Sequence, residues 1–246
     1  MNIKTSLAGL LALCGLAACG LASAPVYAGP AAREAYDGSV LSAYIKGAYL
    51  ESQGDFYDAY QYYLFAAARD SANPRIMLRL ARIAAQVGDY EPARKYGERL
   101  LASGRYGTEA LLILAEVEYR LGKSDRSLEL LRDLRSREDA PLFDVLAFYA
   151  RVAQEAGKHD EAIAALEEAV ALPDADVSAW YDLGMLRVEA GRTDAAAEAF
   201  AKAIEMKPDH AAAHLALARL HEASGRRADA KREYRETLRC DPLSRS

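Results

Sequence analysis

Three histidines, His210, His214 and His221, come nearest to a reactive cluster in this sequence. A metal centre needs three or four nitrogen, sulfur or oxygen donors converging on one point. His214 and His221 instead fall at positions where a helix buries its packing stripe, His210 precedes that helix, and no third ligand of suitable geometry is evident. Acidic pairs such as Glu167 and Glu168 are adjacent, so on a helix they point apart and serve as surface charge. Cysteines 14, 19 and 240 are too widely spaced for a zinc pattern or a disulfide framework. No Ser-His-Asp or Cys-His grouping appears, and no glycine-rich phosphate loop follows a strand. The chain therefore reads as non-catalytic, with no metal and no cofactor expected.

Bulk composition agrees. The 246 residues are 52% hydrophobic and 27% charged, which suits a folded body. Lys+Arg number 31 against 36 Asp+Glu, a net charge of -5. An acidic chain is a poor partner for nucleic acid, whose binding is driven by phosphate neutralisation.

The elements that position these residues announce themselves by repetition. Gly54, Gly88, Gly122, Gly157, Gly191 and Gly225 are spaced 34, 34, 35, 34 and 34 residues apart. Counting units from residues 40, 74, 108, 143, 177 and 211, the fourth, seventh, eighth and eleventh places predict one buried helical stripe. The glycine at place fifteen predicts a reversal with a left-handed backbone angle. A second helix follows with a small residue at place twenty: Ala59, Ala93, Ser127, Ala162, Ala196 and Ala230. Pro208 and Pro242 stop second helices by removing an amide donor, while Pro74, Pro141 and Pro173 mark other junctions. Periodicity of this length marks an α-solenoid of stacked helical hairpins.

The segment from Trp180 to Pro208, with Leu183, Gly184, Gly191, Ala196, Phe200 and Ala203, resembles the tetratricopeptide repeat (TPR). The resemblance covers residues 40–244 as six repeats, about 40–73, 74–107, 108–142, 143–176, 177–210 and 211–244. It implies an all-α superhelix whose first helices line a concave groove for a peptide or helical segment of a protein partner. The groove-facing places then fall on Tyr44, Arg75, Leu78, Arg82, Glu109, Leu112, Glu116, Tyr119, Arg120, Arg151, Tyr181, Met185 and Arg219. Arginine and tyrosine are the types that anchor partners, although a solvated face with charges paired at helical spacing is the alternative. Repeats that grip a chaperone's terminal carboxylate carry Lys at place five and Asn at place nine, and those places here hold neither. The template is worn elsewhere: Gly97 stands at place twenty-four, and the first repeat is crowded with tyrosine and phenylalanine.

Lys4 followed by the apolar stretch Leu7 to Leu16 predicts a secretory signal, too short for a permanent membrane anchor. Two cleavage sites compete. Leu16-Ala17-Ala18-Cys19 resembles the lipobox of bacterial lipoproteins, which would put a signal peptide at 1–18, a lipid on Cys19 and a tether over 19–39. Val26-Tyr27-Ala28 resembles an ordinary small-residue site. With Cys19 lipidated, Cys240 is the remaining thiol, and Gly20 rather than Asp after the lipid cysteine is similar to lipoproteins of the outer membrane.

Together these readings predict a lipid-anchored periplasmic adaptor, in architecture similar to the pilotins of type IV pili. Alternatives are a regulatory subunit of an envelope enzyme, or a homo-oligomer built through the array's end. That end is basic: residues 219–246 hold eight Arg/Lys against five Asp/Glu, which reads as a self-capping surface.

Overall fold

A computed structural model describes residues 39–240. Cys19, both cleavage sites, the tether up to residue 38 and Pro242 lie outside the described residues.

Twelve helices, and no strand, occur among the described residues. They form six hairpins: α1 (Val40–Gln53) with α2 (Phe56–Arg69), α3 (Pro74–Gln86) with α4 (Tyr90–Ala102), and α5 (Gly107–Arg120) with α6 (Ser124–Arg135). There follow α7 (Leu142–Glu155) with α8 (His159–Ala169), α9 (Val177–Glu189) with α10 (Thr193–Met206), and α11 (Ala211–Ala223) with α12 (Arg227–Cys240). The second helix of each hairpin packs on the first helix of the next, the arrangement of an α-solenoid. No described helix is long and apolar enough to cross a membrane.

Local chemistry explains the hairpins. All six periodic glycines adopt positive φ, between 72° and 85°, where a side chain would be strained. Pro74 opens α3 at a position whose amide has no helical acceptor, and the Asn73 side chain caps the same end. The small residues at place twenty are sealed between paired helices. Ser127, the one hydroxyl among them, donates to the Ala115 carbonyl at 2.8 Å and so satisfies its burial.

The core runs along the array. Leu80, Ile83 and Tyr63 fill the early hairpins, while Leu128, Leu131, Leu134, Leu146 and Ile163 fill the middle. Tyr60 and Tyr63 share the buried face of α2, whereas Tyr57 is exposed. Gly97 has a packing cause: a Cβ there would sit 2.9 Å from Leu114 Cδ2, so the missing side chain admits the leucine.

The eleventh place departs from the expected apolar stripe. Buried Glu118 is 3.6 Å from the Lys123 ammonium. Arg187 donates to the Ala195 carbonyl and to Glu167, each at 2.9 Å. His221 is buried there too. Only Arg187 finds hydrogen-bond acceptors there, whereas Glu118 Oε2 and His221 Nδ1 are buried without a hydrogen bond.

Candidate functional site

Successive first helices stand side by side, and polar side chains near their C-terminal ends connect one repeat to the next. The Tyr119 hydroxyl on α5 donates to Glu155 Oε1 on α7 at 2.6 Å. One repeat later, Gln154 Nε2 donates to the Glu189 carboxylate on α9 at 3.0 and 3.2 Å. Place twelve of one unit thus donates to place thirteen of the next. Burial, then the bond to Glu155, pushes the Tyr119 phenol up to about 12. Arg151 lies 4.9 Å from the Phe148 ring centroid and 5.7 Å from that of Tyr119. Two aromatic rings thereby hold one guanidinium in place. Its Nε is buried without an acceptor.

Between α7 and α9 this wall opens into a cleft of about 420 Å³. Phe143, Phe148, Met185 and Leu186 make its apolar surface, and Asp176, Asp182, Glu189 and Arg151 bring charge to it.

The expected groove residues divide. Arg151 and Met185 line the cleft, and Tyr119 stacks on its edge, ring to ring with Phe148 at 5.7 Å and 84°. Glu116 accepts from Arg120 Nε at 2.7 Å within α5, the helical pairing that competes with partner binding. Tyr44 packs at 5.7 Å on Tyr63, and Tyr181 lies 5.7 Å from Phe200 and 5.4 Å from His210. Both are engaged by side chains of the protein itself, Tyr44 also accepting from Arg79 Nε on α3 at 3.5 Å and Tyr181 touching the residue that caps α11. Leu78 packs against the early core and Arg82 is half-buried. Arg75, Glu109 and Leu112 stay on the earlier repeats and Arg219 is exposed on α11, all outside the lining of the cleft.

Sequence reasoning missed Gln154, Asp176, Asp182 and Glu189. Gln154 shares its register place with Tyr119, and Glu189 shares one with Arg120, so register alone could have named these two. Asp176 precedes α9, capping it by accepting from the Ala179 amide at 2.9 Å, and Asp182 sits off the expected places.

The three histidines serve structure. His214 Nδ1 lies 2.8 Å from Glu233 Oε2 and its Nε2 lies 3.1 Å from the Pro208 carbonyl. His210 Nδ1 accepts from the Ala213 amide at 3.1 Å, capping α11.

Sequence models described as tetratricopeptide repeat match residues 44–108 and 149–203, and another matches 187–245. The chain belongs to the tetratricopeptide-repeat family. A further model, of anaphase-promoting complex, cyclosome, subunit 3, matches residues 86–169. Among solved structures, MamA is 23% identical with a TM-score of 0.61, the match covering 69% of this chain and 92% of MamA. The TPR protein YrrB, described as having an unusual peptide-binding site, is 19% identical with a TM-score of 0.59, over 74% of this chain and 93% of YrrB. The C-terminal part of a TPR protein from Cytophaga hutchinsonii is 17% identical with a TM-score of 0.72, over 80% of this chain and 78% of that one. No protein of curated function matches the sequence. As a tetratricopeptide array, the chain has the fold of a protein-interaction scaffold, a fold that is generally non-enzymatic.

Proposed function

We propose that this protein is a lipid-anchored adaptor of the bacterial envelope, tethered through Cys19 to the outer membrane on its periplasmic side. Its first-helix face holds a peptide or helical segment of another protein during envelope, pilus or secretion assembly. The observation that carries the docking reading is the cleft between α7 and α9, where Arg151 is fixed by two rings and still offers N–H groups. Such a group can donate to a backbone carbonyl of a docked segment. The peptide-binding site ascribed to YrrB supports the same use of the fold. The lipobox-like run ending at Cys19 supports the address.

A photoreactive residue placed at Met185, in the cleft, and another at Lys95, exposed on α4, test this in native envelopes. The expected result is one dominant protein crosslinked from position 185, reduced by Ser178→Trp, which fills the cleft without changing its charge, and not from position 95. Crosslinks confined to position 95 would place the binding surface elsewhere and refute the reading.

A further inference from the structure

Resting on the docking reading above, we infer that the α7–α9 cleft receives a cationic side chain, lysine or arginine, from the partner's docked segment. The rim of the cleft carries negative charge that the fold leaves uncompensated. Asp176, Asp182 and Glu189 line the cleft against one cation, and Asp144, next to the lining residue Phe143, has Asp174 and Asp176 as its charged neighbours. Asp144, Asp174 and Asp182 make no ion pair among the described residues. Asp176 commits one oxygen to capping α9. Burial, then Asp174 and Asp176, holds the Asp144 carboxyl above the ordinary carboxylate range, so these like charges feel one another.

Elsewhere the chain neutralises its acids across repeats: Lys158 reaches Asp125 and Arg192 reaches Asp160, each at 2.6 Å. The cleft is where that pattern stops. Arg151 is its sole lining cation, and the two aromatic rings already hold it.

The occupant's class follows from what the walls accept. No group of three or more acidic, His or Cys side chains suited to a metal ion occurs among the described residues, so the carboxylates are too dispersed for a bare cation. Phe143, Phe148 and Met185 would pack the alkyl stem of a long basic side chain, while Asp176 and Asp182 meet its charged head and the nearby Asp144 adds to their field. An acidic segment would add its charge to theirs, and a wholly apolar one would strip water from unpaired carboxylates.

The test is anisotropy of two labelled amphipathic helical peptides, one leucine–lysine and one leucine–glutamate, titrated with the full chain. The lysine peptide is expected to bind and the glutamate peptide to fail. Asp144→Asn with Asp182→Asn should weaken binding by roughly tenfold or more, the scale of two lost charge contacts. Glu138→Gln with Glu198→Gln removes the same net charge from exposed positions elsewhere and should leave binding unchanged. Equal binding of both peptides, or equal losses in the two double variants, overturns the cationic specificity. If crosslinking from position 185 persists in that case, concave docking stands without it. If that crosslink is also absent, both readings fall. Self-association abolished by Asp144→Asn with Asp182→Asn would put the basic α12 of a second copy in the cleft and overturn a separate partner.

Discussion

Arg79 on α3 reaches back to Glu51 on α1, its Nη1 lying 3.0 and 3.1 Å from the two oxygens of one carboxylate. The Tyr63 hydroxyl donates to the same carboxylate at 2.7 Å, so one acid joins both helices of the first hairpin to the second. Burial, then the bond to Glu51, raises the Tyr63 phenol well above its ordinary range. Charge-assisted hydrogen bonds at half-buried sites contribute about 1.5–3 kcal/mol. Arg79→Ala and Tyr63→Phe should therefore each cost about that much. Urea unfolding followed by circular dichroism measures both. Additive losses in the double variant would show that the two bonds are independent and count against a shared acid.

Gly184 and Gly191 are both required, for different reasons. A Cβ on Gly184 would lie 2.5 Å from the Phe200 ring, which is fully buried. Gly184→Ala should cost about 1–3 kcal/mol by overpacking, and Phe200→Leu should recover part of the loss. Around Gly191 there is open space, but its φ is +72°. Gly191→Val should cost about 1–2 kcal/mol through the backbone alone, and Gly191→Asn less, because Asn visits that region more readily. Thermal melts of these four variants and of Gly191→Val with Phe200→Leu separate the causes: rescue in the last would contradict them.

These two glycines also show what was legible in the sequence. Turn glycines and sealed alanines recur at one period because each solves a problem internal to its own hairpin, so the fold could be read from spacing. The cleft could not. Its edges come from different repeats, and Tyr119 meets Glu155 across 36 residues. Whether two such side chains touch depends on how far one repeat rotates on the next. Arg120 was as visible as Arg151, yet one folds onto Glu116 and the other stacks on aromatic rings. Asp182 sits off the expected register and Asp144 gains its character from a loop, so neither carries a local mark.

The last hairpin depends on a buried polar pair. His214 and Glu233 lie 2.8 Å apart with relative exposures of 5% and 7%. His214→Leu strands a carboxylate whose other neighbour is Arg232, at 3.1 Å. Removing one partner of a buried pair costs about 3–5 kcal/mol, whereas an apolar replacement of both is often neutral. His214→Leu should therefore loosen α11 and α12, with Glu233→Leu added in the same chain restoring protection. Amide hydrogen exchange in these helices reads the result. A double variant no better than the single one would mean that the pair is not what holds them.

If the proposed address is right, Cys19→Ala should abolish incorporation of labelled fatty acid and release the protein from membranes. Cys240→Ala should do neither. A still-labelled Cys19→Ala protein would refute Cys19 as the anchor, and an unmutated protein that takes up no label would refute lipidation and favour cleavage after Ala28.

Acid should act on the cleft and on the repeat junctions with opposite sign. Burial and the neighbouring aspartates raise Asp144, and burial with Asp176 raises Asp182, so folding binds their protons more tightly than the unfolded chain does. Their charged forms oppose folding at neutral pH, and that penalty disappears as pH falls through the folded values towards the unfolded ones. Asp144→Asn should thus stabilise at neutral pH and do nothing in acid. Asp182 is the more exposed of the two, so solvent screening makes its effect smaller. Glu161 behaves oppositely: the Tyr149 hydroxyl, then Arg132, lowers its carboxyl. Its stabilisation is present above the unfolded value and lost as pH falls through the folded one. Glu161→Gln should lower the melting temperature at neutral pH, with the difference closing in acid. Melting curves for the three variants across that range check the signs. A stabilising effect of Asp144→Asn that grows in acid would mean that the rim aspartates do not repel one another, and would remove the physical basis for a cationic guest.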